Sequence, residues 1–256
     1  MANFVLVHGA WHGGWCWQRV TAALQQAGHR VHAVTLTGLG ERAHLLSPAI
    51  TLDTHIDDVI YLLEAEELSD VVLAVHSYAG MVGTAVADRL GRRIRHLVYV
   101  DAVLPQPGES WSSTQPSATQ QQRLAGAQAS RLFSFAPPDP AVFGLQGADC
   151  EWVRRRQTPH PGNTYQAPLQ FDTQRVAAAP RTYVSCTAPA LPTIDPSRLR
   201  AQDPLFWGGA WLPNAQFVEL HTGHDPMVSE PAALVRILLA CSAAAPKIAP
   251  SRPVAR

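Results

Sequence analysis

Ser77 lies where a buried strand is expected to meet a helix. A hydroxyl group exposed at such a turn can act as a nucleophile. The apolar run at residues 71–76 is followed by Ser77 and Tyr78, and then by small residues typical of a tightly packed helix. A strand, a sharp turn and a helix expose such a hydroxyl in the pattern Gly-x-Ser-x-Gly. Here Val75 and Ala79 occupy the two glycine positions. The turn can therefore form only if neighbouring backbone leaves room for Val75.

A histidine late in the chain is the candidate base for this serine. A serine hydroxyl is a poor nucleophile at neutral pH unless an adjacent base takes its proton. His224 lies in a glycine-containing loop just after the last predicted strand, and it follows the serine in chain order, as in one known arrangement of catalytic triads. His221 still belongs to the end of the strand, so we interpret it as structural.

A glycine-rich loop near the amino terminus can supply hydrogen-bond donors for an oxyanion. The loop follows the first strand-like run and contains Gly9, Gly13 and Gly14. Glycines allow a tight turn that leaves backbone N–H groups exposed. We expect the donors to be the backbone N–H groups of Ala10 and of Tyr78, the residue after the serine. The spacing does not match Gly-x-Gly-x-x-Gly at the start of a helix, which argues against a dinucleotide loop.

No metal or cofactor site is predicted. His8 and His12 flank the first glycine, and we interpret them as hydrogen-bonded organisers of the loop rather than metal ligands. The cysteines lack Cys-x-x-Cys spacing, so we expect free thiols rather than a zinc site or a disulfide framework. The cysteines are Cys16, Cys150, Cys186 and Cys241.

Two carboxylates could orient the histidine. In open α/β sheets the reacting groups gather at the carboxyl ends of the strands. Asp101 directly follows the predicted strand at 94–100, whereas Asp195 lies nine residues past Cys186 and beyond two prolines. Asp101 would need little loop to reach the histidine, so its position favours it. Asp195 stays open as the alternative acid, as does the possibility that neither carboxylate orients the histidine.

The elements that must position these residues follow an α/β pattern. Short apolar runs alternate with longer amphipathic ones, as in a parallel sheet with crossover helices. The predicted strands are 4–7, 31–36, 71–76, 94–100, 181–186 and 216–220, and the predicted helices between them are 17–27, 54–66 and 80–90. The fold class is therefore α/β, with a mostly parallel central sheet flanked by helices.

The segment 105–180 is expected to form an inserted helical cap over the sheet. Proline, glutamine and serine are frequent there and strand signals vanish, while short helices are predicted at 119–133 and 149–156. A disordered loop is disfavoured by aromatic residues that need packing partners. These are Phe133, Phe135, Phe143, Trp152 and Tyr165. The core then comprises residues 1–104 and 181–241, and residues 242–256 are expected to be a flexible tail.

The overall charge indicates a small-molecule partner. Twenty basic and twenty acidic residues cancel, so nothing favours binding to nucleic acid or to an anionic membrane. The amino terminus lacks the basic and apolar regions of an export signal, and no apolar run approaches the about 20 residues of a membrane helix. We therefore expect a cytoplasmic location and no nucleic-acid or membrane partner, and a homodimer stays open.

Four motifs together make the chain similar to a known family. They are the loop at residues 7–17, the segment Thr37-Gly38-Leu39-Gly40, the elbow His76-Ser77-Tyr78-Ala79-Gly80 and the closing Gly223-His224. With these motifs the chain resembles the α/β-hydrolase family that contains plant methyl-ester esterases, hydroxynitrile lyases and many bacterial carboxylesterases. The resemblance implies Ser77 as nucleophile, His224 as base, and the backbone N–H groups of Ala10 and Tyr78 as oxyanion donors.

The chain departs from this family at three places. Family members usually have glycine where Val75 and Ala79 stand. Many carry their acid just after the strand that corresponds to 181–186, but residues 187–190 contain no carboxylate, which strengthens Asp101. The lyases have a threonine at the position of Gly9 and a lysine at that of Asp225, so Asp225 argues against a cyanide-releasing lyase.

The leading hypothesis is a serine hydrolase that cleaves a small carboxylic ester through an acyl-enzyme, with Ser77, His224 and Asp101 as its triad. The cap would cover an apolar pocket for a small ester or an aromatic acyl group. Its candidate lining residues are Trp111, Phe133, Phe135, Phe143 and Trp152. Two alternatives remain: a carbon–carbon lyase on the same triad, and a catalytically silent protein of this fold that binds a small molecule.

Overall fold

The computed structural model describes residues 1–243, and its centre is a six-stranded parallel sheet. Within residues 1–243 the strands are β1 (Asn3–Val7), β2 (Arg30–Val34), β3 (Val71–His76), β4 (Ile94–Val100), β5 (Ser134–Phe135), β6 (His160–Pro161), β7 (Arg181–Cys186) and β8 (Ala215–Leu220). The sheet order is β2-β1-β3-β4-β7-β8, and all five neighbouring pairs are parallel. The six predicted strands and the α/β class are confirmed.

The helices that flank the sheet agree with the predicted ones to within two residues. The helices of the described chain are α1 (Gln18–Gln26), α2 (Leu52–Ala65), α3 (Ala79–Leu90), α4 (Ser117–Ala129), α5 (Gly147–Arg154), α6 (Asn163–Gln166), α7 (Thr173–Ala177), α8 (Asp195–Arg200), α9 (Pro226–Ser229) and α10 (Pro231–Ala243). Helix α2 begins two residues before its predicted start because Thr51 caps it, accepting a hydrogen bond from the backbone N–H of Thr54.

The strands at the centre of the sheet are buried on both faces. Every residue of β3 is buried, as is every residue of β4 except Arg95. Strands covered by helices on both faces read as continuous apolar runs rather than as alternating ones. The run at residues 71–75 therefore reflects the central position of β3, which brings the end of this strand to the middle of the sheet edge.

The segment 105–180 contains short helices and one small antiparallel sheet, β5–β6. The helix predicted at 119–133 ends at Ala129, so its predicted end was wrong. Ser130 has an extended conformation, and Phe133 has a φ of +47°, which no helix continues through. Phe135, Phe143 and Tyr165 are buried, as their need for packing partners predicted. The division of the chain into core and cap stays a prediction.

Among residues 1–243, no helix has both the length and the apolar content needed to cross a membrane. All four cysteines are buried free thiols. Residues 242 and 243 of the predicted tail belong to helix α10, and the rest of that tail lies outside the described residues.

The turn between β3 and α3 depends on Gly83, which lies outside the Gly-x-Ser-x-Gly motif. Ser77 has a φ of +54°, which L-residues rarely adopt, and the turn requires strand and helix to approach closely. A Cβ atom at Gly83 would lie 2.5 Å from Cγ1 of Val75. Gly80 lies similarly against the carbonyl oxygen of Val103. Gly83 thus makes the room that Val75 needs.

We predict that Gly83→Ala destabilises the fold, because the added methyl group would overlap Val75. The free energy of unfolding should fall by roughly 1–3 kcal/mol, as for other overpacked sites. Gly126→Ala in α4 is the matched control, because the nearest atom to a Cβ there is 3.7 Å away. That substitution should be neutral or stabilising by up to about 1 kcal/mol. Denaturant unfolding measures both, and equal losses would contradict the role given to Gly83.

Candidate active site

Three side chains from three strand ends form one hydrogen-bonded chain. The Oγ atom of Ser77 lies 2.9 Å from Nε2 of His224, and Nδ1 of His224 lies 2.7 Å from Oδ2 of Asp101. Ser77 follows β3, Asp101 follows β4 and His224 lies in the loop after β8. Because these strands are parallel, their carboxyl ends meet at one edge of the sheet. The three residues are 2% exposed or less, except Ser77 at 9%.

Asp101, rather than Asp195, is the carboxylate that the structure brings to His224. Its backbone is held by a hydrogen bond from its N–H to the carbonyl oxygen of Val184, at 2.7 Å. Its Oδ1 atom accepts a hydrogen bond from the backbone N–H of Cys186, at 3.1 Å. Strand β7 therefore fixes the carboxylate that follows β4.

Arg198 is a site residue that the sequence did not reveal. Its Nη2 atom lies 2.8 Å from Oδ2 and 2.9 Å from Oδ1 of Asp101, and Nε lies 3.0 Å from Oδ1. Burial alone would lower the pKa of Arg198, but the charge of Asp101 raises it above its usual value. Asp195, with a side chain 56% exposed, contacts the other side of the same guanidinium at 2.6 Å. The only signal in the sequence is the Asp195–Arg198 spacing on one helix, which does not point to Asp101.

The loop that carries His224 is held in place by hydrogen bonds of the His224 backbone. The N–H of His224 donates to the carbonyl oxygen of Phe143 at 2.8 Å, and the carbonyl oxygen of His224 accepts from Nε2 of His76 at 2.8 Å. Gly223 lies so close to Phe143 that no Cβ would fit. His221 is exposed at the strand end, as its structural interpretation allows. The backbone of His224 is thus held through both its N–H and its carbonyl oxygen.

The predicted oxyanion donors lie beside Ser77. Within residues 1–243, the backbone N–H groups of Ala10 and Tyr78 form no hydrogen bond. The loop that carries Ala10 packs directly on Ser77, since a Cβ at Gly9 would lie 2.7 Å from Cβ of Ser77 and 2.8 Å from Nδ1 of His76. Two free donors beside a serine hydroxyl can stabilise an oxyanion that forms there.

The loop histidines bind backbone and side chains. Nδ1 of His8 donates to the carbonyl oxygen of Gly9 at 2.7 Å, and Nε2 accepts from the N–H of Leu36 at 3.1 Å. Burial lowers the pKa of His8 to about 3, so its ring is neutral. His12 hydrogen-bonds to Ala10 and Asp225. Both histidines therefore organise the loop.

One group of side chains has the spacing of a metal site. Ligand atoms of His76, His224 and Asp225 lie within 4.8 Å of one another. His224 would have to leave its hydrogen bonds with Ser77 and Asp101 to bind an ion there. The donor set thus competes with the hydrogen-bonded chain, and we assign no metal to it.

Aromatic side chains of the segment 105–180 cover this site. Trp111 lies 4.9 Å from the ring of Tyr78, Phe143 lies 5.5 Å from His224, and Phe135 lies 5.8 Å from Trp11, all between ring centroids. Of the other two predicted lining residues, Trp152 packs on Trp15 at 5.1 Å and Phe133 against Gly162. Both are only partly buried, and within residues 1–243 neither makes a ring contact with Trp11, Tyr78 or His224.

Comparison with known proteins gives the family of this chain. A sequence model of the alpha/beta hydrolase family matches residues 4–237. The chain is 44% identical over 248 residues to the carbendazim hydrolyzing esterase of Nocardioides sp., an alignment that covers 94% of this chain and 99% of that protein. It is 27% identical over 260 residues to methylesterase 7 of Arabidopsis thaliana, covering 93% and 95% of the two chains. A solved extracellular alpha/beta-hydrolase from a Paenibacillus species has a TM-score of 0.78 at 21% identity, covering 94% of this chain and 99% of the other, and shows the same fold.

We predict that Arg198→Met strongly destabilises the protein, because it leaves the Asp101 carboxylate buried without its cation. The free energy of unfolding should fall by about 3 kcal/mol or more, as for other broken buried ion pairs. Arg89→Met is the matched control, since Arg89 pairs with Asp53 at 2.7 Å on the surface and should contribute less than about 1 kcal/mol. Urea unfolding at neutral pH compares the two, and losses of similar size would refute the role of Arg198.

Proposed function

Because this chain belongs to the α/β hydrolase family and is an enzyme of the esterase type, we propose that it is a serine hydrolase that cleaves a small carboxylic ester through an acyl-enzyme. The observation that supports this best is the continuous hydrogen-bonded chain from Ser77 through His224 to Asp101. An acyl-transfer site needs a nucleophile, a base, a group that orients the base, and donors for the oxyanion. All four lie together at the sheet edge.

The hydrogen bonds favour the protonation state that the reaction needs. The carboxylate of Asp101 can only accept, so Nδ1 of His224 carries a proton, and Nε2 is then free to accept from the hydroxyl of Ser77. Arg198 and the N–H of Cys186 occupy the remaining acceptor sites of the carboxylate. In this state His224 is ready to act as a general base.

The reaction then follows from the geometry in two halves. The Oγ atom of Ser77 attacks the ester carbonyl carbon while its proton passes to Nε2 of His224, and the N–H groups of Ala10 and Tyr78 bind the oxyanion. The alcohol leaves with the proton from His224. Water then attacks the acyl-enzyme, with His224 again as base, and the acid is released. Every group comes from the protein, so the mechanism requires no metal ion or cofactor.

The aromatic side chains over the site support an aromatic or apolar acyl group. Trp11 directly follows Ala10 and contacts Phe135 and Phe143. A cavity of about 390 Å³ is lined in part by Trp11, Phe135 and Arg123, but its lining does not include Ser77, His224 or Ala10. The proposal therefore rests on the aromatic side chains beside the site, which suit planar apolar groups. The relative at 44% identity is named for carbendazim, which makes that compound a probe to include.

Two contacts argue against the lyase alternative. A side chain at Gly9 would overlap Cβ of Ser77, so the threonine of the lyases has no space here. Asp225 is buried and paired with His12, so the position of the lyase lysine holds a negative charge instead. A leaving cyanide ion would be repelled rather than stabilised. Cyanohydrin cleavage assayed beside ester hydrolysis should therefore give no cyanide release.

We predict that Ser77→Ala and Asp101→Asn abolish most turnover of p-nitrophenyl esters. Loss of the triad carboxylate leaves His224 without its orienting partner, and kcat should fall roughly 10⁴-fold. Asp195→Asn is the matched control, because it makes the same change on the other side of Arg198 and should alter kcat by no more than about threefold. Circular dichroism checks that each variant is folded. If Asp195→Asn alone removed the activity, the assignment of the acid would be wrong.

We predict that Trp111 sets the preference for aromatic acyl groups. Trp111→Leu should lower the ratio of kcat/KM for p-nitrophenyl benzoate to that for p-nitrophenyl acetate by roughly tenfold, because the benzoyl ring of the substrate loses the indole surface on which it packs. Trp152→Leu changes the same side chain in the same segment, but Trp152 packs on Trp15 away from the site. It should leave the ratio unchanged, and an equal fall in both variants would exclude Trp111 as the determinant.

A further inference from the structure

A second histidine–aspartate pair lies behind the hydrogen-bonded chain, and the mechanism above does not use it. The pair consists of His12 and Asp225, which are 1% and 0% exposed. Nε2 of His12 lies 3.1 Å from Oδ2 of Asp225. The two residues are 213 positions apart in the sequence, so the contact joins the loop after β1 to the loop after β8.

The geometry fixes the charge of this pair. Nδ1 of His12 lies 2.7 Å from the carbonyl oxygen of Ala10, and Nε2 faces the carboxylate. A carbonyl oxygen and a carboxylate can only accept hydrogen bonds, so both ring nitrogens must donate. His12 is therefore an imidazolium ion paired with an ionised Asp225. In agreement, burial alone would raise the pKa of Asp225, but His12 holds it at about 2, and Asp225 raises the pKa of His12 against the effect of burial.

Each end of the pair touches one part of the proposed catalytic machinery. His12 binds the carbonyl oxygen of Ala10, whose N–H is a proposed oxyanion donor. Asp225 is the residue after His224, and its carbonyl oxygen accepts the N–H of Val228 at the start of α9. If one of the two loops shifted, either the ion pair would break or the other loop would move with it. The ion pair is thus a direct link between the oxyanion donor and the base.

We propose that His12 and Asp225 are positioning residues for ester hydrolysis, which hold Ala10 and His224 in register and place an anion beside the ring of His224. This inference rests on the proposed function. The carboxylate of Asp225 and the ring of His224 have atoms within 4.8 Å of each other. An anion at that distance stabilises the imidazolium form of His224, while the charge of His12 partly cancels this effect.

The other titratable groups that face Asp225 are neutral. They come from three elements: Cys16 from the turn before α1, His76 from the end of β3, and Cys186 from the end of β7. Burial raises the pKa of both thiols well above the usual range. Burial and the nearby His224 lower the pKa of His76 well below its usual range. Among the groups that face Asp225, the charge therefore comes from the pair of His12 and Asp225.

The two halves of the pair should shift the pH profile in opposite directions. Asp225→Asn removes the anion and allows His12 to become neutral, so the imidazolium form of His224 is destabilised. The acid limb of kcat/KM should move to lower pH by about half a unit to one unit. His12→Gln leaves the anion without its cation, so the acid limb should move to higher pH. In both variants kcat at the plateau should fall roughly 10- to 100-fold through loss of register, with KM little changed.

The test is a set of pH profiles of kcat/KM for p-nitrophenyl acetate with Asp225→Asn, His12→Gln and the double variant. Asp88→Asn is the matched control, because it removes a carboxylate from an ion pair with Arg175 at 2.8 Å outside the site. Its acid limb should coincide with that of the wild type. The double variant should share the acid limb of Asp225→Asn, because neither variant keeps a charge at the pair, and its kcat should be no lower than that of the worse single variant.

Acid limbs that all coincide with the wild type would overturn the proposal and leave the pair a purely structural contact. If His12→Gln does not fold, the profile of Asp225→Asn decides alone, since it must shift to lower pH. Failure of the proposed function gives a different result, because Ser77→Ala would then keep its esterase activity whatever the pH profiles show.

Discussion

The site depends on a negative charge that is buried at the carboxyl end of β4. An ionised carboxylate inside a protein is costly unless its acceptor sites are filled and its charge is balanced. Asp101 meets this requirement with three partners from three parts of the chain: the ring of His224, the guanidinium of Arg198 and the N–H of Cys186. The buried carboxylate of Asp101 thus fixes the position of each of these partners. The hydrogen bond between Nδ1 of His224 and Asp101 leaves Nε2 on the side of Ser77.

The surroundings of His224 follow one electrostatic rule. Two buried carboxylates lie near its ring, and each has a cation of its own: Arg198 for Asp101 and His12 for Asp225. The charge of each carboxylate is thus balanced by a neighbouring side chain, and Nε2 of His224 lies 2.9 Å from Oγ of Ser77, within hydrogen-bond distance. The two adjacent residues 224 and 225 therefore contact different partners: Asp101 and Ser77 for His224, and His12 for Asp225.

The sequence predicted those parts of the molecule that depend on local pattern. The strands followed from continuous apolar runs such as 71–75. The rule that reacting groups lie at strand ends predicted Ser77 and His224, and it favoured Asp101 while leaving Asp195 open. What it could not predict depends on contacts through space. Gly83 makes room for Val75 eight residues away, Arg198 reaches Asp101 across 97 positions, and His12 meets Asp225 across 213. The wrong end of the helix predicted at 119–133 has a related cause, because a turn at Ser130 starts the small β5–β6 sheet.

The central claim is that the hydroxyl of Ser77 is an activated nucleophile in the folded protein. Its most direct test is reaction with a small fluorophosphonate, followed by intact mass and peptide mapping. We expect a single adduct on the peptide that contains Ser77, formed much more slowly in Asp101→Asn and absent after unfolding. If the folded protein formed no adduct, or carried it on another serine such as Ser112, Ser77 would not be an activated nucleophile.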